Sequence, residues 1–421
     1  MNVDRDNVDF LFIGGVFPKE KEEEIIRKSK SGLQMAANNF QWSLIHGFDR
    51  NLSKPITILN TIFIGSYPKN YSDCIIHGEQ FTHTPGAKDY NLGFINLTIL
   101  KQFLRPFNEK KILKEWLNAN KKESNKIVFI YSLSPRSARL AKLIKQINPD
   151  AFTCVSVNDL PQNIMLGIRG NKKIVQIWKN LFKKKVEASL KYIDGFMIVS
   201  EQIAESLNIN NKPYIVVEAL TEIDPLSLPI INRKDDKIKR IVYTGGLIEK
   251  YGIINLIQAF SLIESDEYQL IICGDGDCKE AIIEMSKADN RIVYLGVLSP
   301  DKVKKIQQSA TVLVNPRQNT GDFTKYSFPI KTIEYLLSGK PVIGYKLDGI
   351  PHEYDEHLIY VEDNSLDAIK NKIIEVCTMP EKFYSIIGNK NIEFVAEQKN
   401  NIIQTKRILS MIIDQLKKRR I

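Results

Sequence analysis

Asn315–Tyr345, NPRQNTGDFTKYSFPIKTIEYLLSGKPVIGY, is the stretch on which the fold turns. It divides into a strand, a long loop, a short helix, a turn and a second strand. The loop supplies Arg317, Asp322, Lys325 and Tyr326. The spacing predicts a helix starting near Pro329, because proline suits a first helical position, whose N–H has no intrahelical partner. Ile330, Lys331 and Thr332 then form the first turn, so free backbone N–H groups and one ammonium leave the same helix end. The macrodipole and those donors together favour an anion, and a phosphate suits them. Glu334 follows one turn in. Gly339 closes the helix, and Pro341 to Gly344 returns the chain to the sheet. The competing reading is a core helix whose lysine is merely solvated.

Working outward, the second half of the chain alternates strand and helix without a break. IKRIVYTGG ends in Gly245-Gly246, YQLIICGDGD in Gly274 and Gly276, RIVYLGV in Gly296-Val297, and TVLVNP enters the opening stretch. This alternation predicts a parallel sheet. Glycine at successive strand ends predicts a ligand cleft along the carboxyl edge. The first half repeats the plan with DFLFIGG, KIVFIYS, FTCVSVNDLP, GFMIVS and YIVVEAL. Gly14 and Gly15 end its first strand, where a backbone can approach a ligand. Ser31–Phe48 has an apolar face at helical spacing, with Gln34, Asn38 and Gln41 on a polar face. Those amides suit sugar hydroxyls or plain water. Asn158-Asp159 ends the FTCVSVNDLP strand, where open α/β sheets take ligands. His77 and His83 lie in a loop-rich stretch and read as surface residues.

A chain of 421 residues exceeds a single core, so two domains are expected. The boundaries read as 1–222 for an N-terminal Rossmann-like domain, 223–395 for a second, and 396–421 for a C-terminal helix returning to the first. The 43% hydrophobic and 26% charged residues are ordinary for a globular protein. No apolar run reaches membrane-span length, and the charged start MNVDRDNVDF lacks a signal-peptide core, which predicts a cytoplasmic protein. The five cysteines are scattered and read as free thiols, with no ligand spacing for a metal. A net charge of +10 admits anionic partners, but no nucleic-acid motif is present. The charge concentrates in Lys172–Lys191, where seven lysines flank an apolar stripe, and in Lys417–Arg420. Both suit an anionic membrane surface, or a packed helix with solvated lysines.

These segments together resemble the retaining GT-B glycosyltransferases of family 4. The donor-side likeness rests on YTGGLIEKYGI, LIICGDGD, IVYLGV, VLVNPR and YSFPIKTIEYLLSGKPVIGY, in that order. The acceptor-side likeness, to capsule, exopolysaccharide and O-antigen transferases, rests on GLQMAANNFQWSLIHG, VSVNDLP, YIDGFMIVSEQI and YIVVEAL. The resemblance implies two doubly wound α/β domains facing across a cleft. It implies transfer of a sugar from a UDP- or GDP-linked donor to a glycan or lipid-linked acceptor, with retention and no metal or other cofactor. Homo- or hetero-oligomers are compatible with it.

In that family, two glutamates eight positions apart flank the donor, and Glu334 stands at the second, ribose-contacting position. Tyr326 replaces the first. The family's Arg–Lys phosphate pair is replaced by Gly246 and Tyr251, with Lys250 one step away. Asn158 stands where many members carry histidine. The resemblance therefore places the donor against Gly15, Gly245, Gly246, Lys250, Gly274, Val297, Arg317, Tyr326, Ile330, Lys331, Thr332 and Glu334. It places the acceptor near Gln34, Asn38 and Asn158, and leaves Lys331 and Asp159 as catalytic candidates. The missing pair keeps open a non-catalytic partner of another transferase, and a sugar-nucleotide epimerase is a further alternative. A dehydrogenase is disfavoured, because DFLFIGGVFPKE lacks G-x-G-x-x-G spacing.

Overall fold

The computed structural model describes residues 7–30, 33–97, 101, 107–119, 124–160, 180, 183–224, 228–229 and 237–419. The chain forms two compact units: Met1–Leu220 with Asn401–Ile421, and Thr221–Asn400. The return to the first unit thus falls at Asn401, at the start of a helix, and not at 396, which lies inside the helix Glu381–Gln398.

The first unit is built on an eight-stranded sheet. Its strands in chain order are β1 (Val8–Gly14), β2 (Thr57–Asn60), β4 (Glu79–Phe81), β5 (Asp89–Asn91), β7 (Asn125–Ile130), β8 (Phe152–Val157), β9 (Gly195–Ile198) and β10 (Tyr214–Val216), and β3 (Ile75–Ile76) and β6 (Phe94–Ile95) form a separate pair. Spatial order is β10-β9-β8-β7-β1-β2-β5-β4. All neighbours run parallel except β4 against β5. β7 and β8 are buried along their whole length, as strands covered on both faces require. Phe10, Phe48 and Phe129 interlock at centroid separations of 4.5–6.4 Å. The helix Met35–Asn51 packs on the C-terminal helix Asn401–Lys418. Gly47 makes this approach possible, since a Cβ there would lie 2.6 Å from the Asn401 carbonyl oxygen.

The second unit is a six-stranded, wholly parallel sheet. It contains β11 (Lys239–Thr244), β12 (Tyr268–Cys273), β13 (Ile292–Tyr294), β14 (Val312–Asn315), β15 (Val342–Gly344) and β16 (Ile359–Tyr360), ordered β13-β12-β11-β14-β15-β16. Order reverses beside β11, which is the switch point where such sheets take ligands. Apolar side chains from Ile253–Ser261 and Leu366–Cys377 close the core against it.

His83 departs from the surface role its loop position suggests. Its imidazole is 1% exposed and sits between two carboxylates. Nε2 lies 2.8 Å from Asp49 and Nδ1 2.7 Å from Asp89. Asp49 also accepts from the Ile56 amide and Asp89 from the Ile58 amide, so the cluster ties the helix end to β2 and β5. Burial alone would lower the imidazole pKa, but the two carboxylate hydrogen bonds outweigh it and raise it to about 9. The unfolded value is 6.5, so this stabilisation is fully present below that pH and is lost as pH rises through about 9. Thermal melts should therefore show the melting temperature falling between neutral pH and about pH 9. His83→Gln should melt lower at neutral pH and show a flatter profile over that range; parallel curves for the two proteins would contradict the assignment.

Candidate functional site

Every strand of the second sheet points its carboxyl end to one edge, because all are parallel. Gly245-Gly246 follows β11 and Gly274 follows β12. Gly274 has φ +146°, and a Cβ on it would fall 1.8 Å from the Gly245 carbonyl oxygen. The turn after β12 is therefore pressed directly onto the turn after β11. Leu247 donates to Asp275 at 2.9 Å, and Cys278 donates to Leu247 at 2.9 Å, which locks the two turns together. The Tyr243 hydroxyl donates to the Gly246 carbonyl at 2.8 Å, and that of Tyr294 to the Gly274 carbonyl at 3.0 Å. These glycines thus serve backbone-on-backbone packing first.

The short helix that follows β14 runs Lys331–Leu337, two residues later than the sequence suggests. Thr332 donates to Pro329 at 2.8 Å and Ile333 to Ile330 at 3.1 Å, which tightens the entry into a turn ahead of the helix. Those two amides are thereby occupied. Among the described residues, the amides of Ile330 and Lys331 have no acceptor. The Lys331 ammonium holds Glu334 at 2.6 Å, with both side chains substantially exposed (41% and 45%). It also lies near β12: burial raises the Cys273 thiol to about 11 while the Lys331 charge pulls it down. Exposed pairs of this spacing contribute only about 0.3–0.5 kcal/mol, so an incoming anion can separate them at little cost.

The remaining donor-side residues divide by exposure. Val297 is 73% exposed, Tyr326 is half-buried and Ile330 is exposed. Thr332 is buried, and its hydroxyl accepts from Asn315 at 3.4 Å, which makes it part of the framework. Arg317 is also buried rather than open to a ligand. Its guanidinium lies 4.3 Å from the Phe323 ring and 5.5 Å from that of Tyr251, and it donates to Ser327 at 2.6 Å. Lys250 shares the same two rings, at 5.1 and 5.6 Å. Arg317 therefore fixes the loop to the turn after β11, while Lys250 remains exposed.

In the first unit the amides that suit a sugar are largely spent on the backbone. Gly15 N–H donates to Gln41 Oε1, Val16 N–H to Asn60 Oδ1 and Phe17 N–H to Asn38 Oδ1, each at 2.8 Å. Three consecutive donors after β1 are thus satisfied internally. Gly15 is enclosed as well, since a Cβ there would lie 2.0 Å from Phe63. Neither Gly15 nor Asn38 is available to a ligand; Gln34 is exposed. Asn158 accepts from Ser156 and donates to the Tyr131 hydroxyl at 3.3 Å. Asp159 is exposed at the same strand end, and burial together with the Asp159 charge raises the Tyr131 pKa.

Residues 172–179 of the basic segment lie outside the described residues. At the C-terminus, Arg419 pairs with Asp194 and covers the Phe152 ring at 5.0 Å, so it is committed to the fold. Among the described residues, no group of three or more His, Cys, Asp or Glu could hold a metal ion, and no helix is long and apolar enough to cross a membrane.

Residues 238–379 match the family model described as Glycosyl transferases group 1. The second unit carries a glycosyl transferases group 1 domain. An uncharacterized glycosyltransferase of Methanocaldococcus jannaschii is 29% identical over 138 residues, covering 31% of this chain and 34% of that relative. The match thus spans about a third of the relative's length. Sucrose-phosphate synthase from Thermosynechococcus elongatus superposes with TM-score 0.60 at 15% identity, covering 97% of this chain and 100% of that one. The apo lipopolysaccharide outer core galactosyltransferase WaaB gives 0.59 at 17%, with 97% and 100% covered. Anabaena HepE, solved in complex with UDP, gives 0.57 at 10%, with 96% and 99% covered. The chain accordingly has the GT-B fold.

One residue of this framework carries no sequence signal. The buried Tyr335 hydroxyl accepts from the Thr244 amide at 2.8 Å and lies 3.0 Å from its carbonyl oxygen, while Gln307 donates to the Thr244 hydroxyl at 2.9 Å. Tyr335 therefore fastens the Lys331 helix to the end of β11. Tyr335→Phe leaves Thr244 groups unpaired in a buried place and should destabilise the fold by about 1–3 kcal/mol. Denaturant unfolding of the full chain measures it; an unchanged midpoint would show the bond to be unimportant.

Proposed function

We propose that this chain is a glycosyltransferase that moves a sugar from a UDP- or GDP-linked donor to a glycan or lipid-linked acceptor in cell-surface polysaccharide synthesis, with retention of configuration. The observation that carries the reading is the Lys331–Glu334 pair at the carboxyl edge of a sheet that belongs to a glycosyl transferases group 1 domain. In this proposal the donor diphosphate takes the Lys331 ammonium, aided by the Ile330 and Lys331 amides. Glu334, released from the lysine, accepts from the ribose hydroxyls, as a carboxylate can from two donors. Charge grows on the diphosphate as the glycosidic bond breaks, so a fixed cation beside it stabilises the transition state more than the ground state. Lys250, exposed at the turn after β11, replaces part of the absent Arg–Lys pair. Asp159 is the proposed acceptor-side carboxylate, and no metal enters the scheme.

Two substitutions separate the roles. Lys331→Ala should lower kcat by about two to three orders of magnitude, the effect of losing one preorganised charge donor. Glu334→Ala should weaken nucleotide binding by about tenfold, the worth of a charged hydrogen bond. Donor hydrolysis and calorimetry with UDP- and GDP-sugars measure both. Near-native turnover of Lys331→Ala would refute the mechanism. Donor binding by the wild type with neither transfer nor hydrolysis would favour a non-catalytic partner, the reading that the missing Arg–Lys pair leaves standing.

A further inference from the structure

We propose that Phe323 is a positioning residue for sugar transfer: with Tyr251 it holds the Lys250 ammonium, its charge uncancelled, for the donor diphosphate. The inference rests on the reading that the donor lies at the carboxyl edge of the second sheet. It adds to that reading a residue that acts through the lysine. Every residue involved lies in the second unit.

Lys250 belongs to the short turn Glu249–Tyr251 that follows β11. Its ammonium lies 5.1 Å from the Phe323 ring centroid and 5.6 Å from that of Tyr251. Arg317 and Lys399 also lie over two rings, but both are buried, at 7% and 1% exposure, whereas Lys250 is exposed. Among the described residues, the Lys250 ammonium forms no ion pair with a carboxylate. The two ways of placing a surface lysine have opposite consequences for an anion. A carboxylate places the lysine and cancels its charge, as Glu334 does for Lys331 at 2.6 Å. The negative face of an aromatic ring places it and leaves the charge whole. An unplaced lysine also loses rotamer freedom when it binds an anion, and two rings take part of that loss beforehand.

The rings are themselves fixed. Gly252, at φ +79°, closes the turn, and a Cβ on it would lie 2.0 Å from the Pro316 carbonyl oxygen. The turn is therefore seated on the backbone that leaves β14. Arg317, next in the chain, packs on both rings and donates to the Ser327 hydroxyl, which in turn donates to the Phe323 carbonyl, each bond at 2.6 Å. Gly349 packs against the same loop, since a Cβ there would meet the Thr324 and Ser327 carbonyl oxygens at 2.5 and 2.6 Å. Phe323 is thus held by its backbone and by a buried cation, and Lys250 is the flexible partner that comes to rest on it.

Calorimetry of the full chain with UDP and GDP tests this, the tighter of the two serving as probe for the variants. Lys250→Ala should weaken binding by about tenfold, the worth of a charged hydrogen bond. Phe323→Leu keeps apolar volume but removes the aromatic face, and should weaken binding roughly two- to fivefold. In the Lys250→Ala background Phe323→Leu should have no further effect, because it acts through the ammonium. Phe323→Tyr retains an aromatic face and should bind as the wild type does. Thermal melts establish that each variant is folded, and Tyr251→Leu gives the same cycle through the second ring should Phe323→Leu fail to fold. Unchanged affinity in Phe323→Leu, an equal loss with and without Lys250, or an equal loss in Phe323→Tyr would overturn the assignment. Lys331→Ala, measured alongside, separates the two readings. If it weakens binding while the Lys250–Phe323 cycle is additive, the role of Phe323 alone falls. If the wild type binds neither nucleotide, or Lys331→Ala binds as tightly as the wild type, the donor reading falls and this inference with it.

Discussion

The second unit depends on one close contact between two pieces of backbone. Gly274 sits against the carbonyl of Gly245, at a distance no side chain tolerates. This brings the ends of β11 and β12 together. Tyr335 then bonds the Lys331 helix to Thr244, one residue before Gly245. Gly274 has φ +146°, which glycine adopts without strain, and it carries no Cβ to meet the Gly245 carbonyl. The ammonium of Lys331 and the carboxylate of Glu334 owe their place at the sheet edge to this chain of contacts.

The two sheets present different edges, although their sequences follow one plan. In the first, the donors after β1 are consumed by Gln41, Asn60 and Asn38. Satisfying three buried donors in succession rigidifies the loop and removes its attraction for an anion. In the second, the exposed charges are held only by each other. A surface ion pair of that sort is readily exchanged for a ligand, whereas a buried amide network is not. The proposed anion site on the second sheet rests on this difference. Tyr131, Asn158 and Asp159 leave polar groups at the edge of the first.

Much of the architecture was legible in the sequence, because parallel strands buried on both faces read as apolar runs and the glycines mark their ends. Residues such as Ile241, Leu270 and Val312 needed no context to be placed in a core. The start of the Lys331 helix was less legible: a tight turn takes up Pro329 and Ile330, and proline alone does not distinguish the two geometries. Arg317 and Thr332 read as ligand contacts because polar residues near a strand end look alike whether they face solvent or framework. Only the rings of Phe323 and of Tyr251, the latter distant in sequence, decide for Arg317. His83 was read as a surface residue for the same reason. Its partners Asp49 and Asp89 lie 34 and 6 positions away, and nothing local announces that they converge.

The central claim is that a phosphate-bearing donor is held at the carboxyl edge of the second sheet by the start of the Lys331 helix. A crystal structure of the chain grown with a nucleotide sugar measures this directly. The account predicts the diphosphate beside Lys331, the ribose on Glu334, and the bond between those two side chains broken. A donor bound instead against Gly15 of the first sheet, with Lys331 and Glu334 still paired, would contradict it.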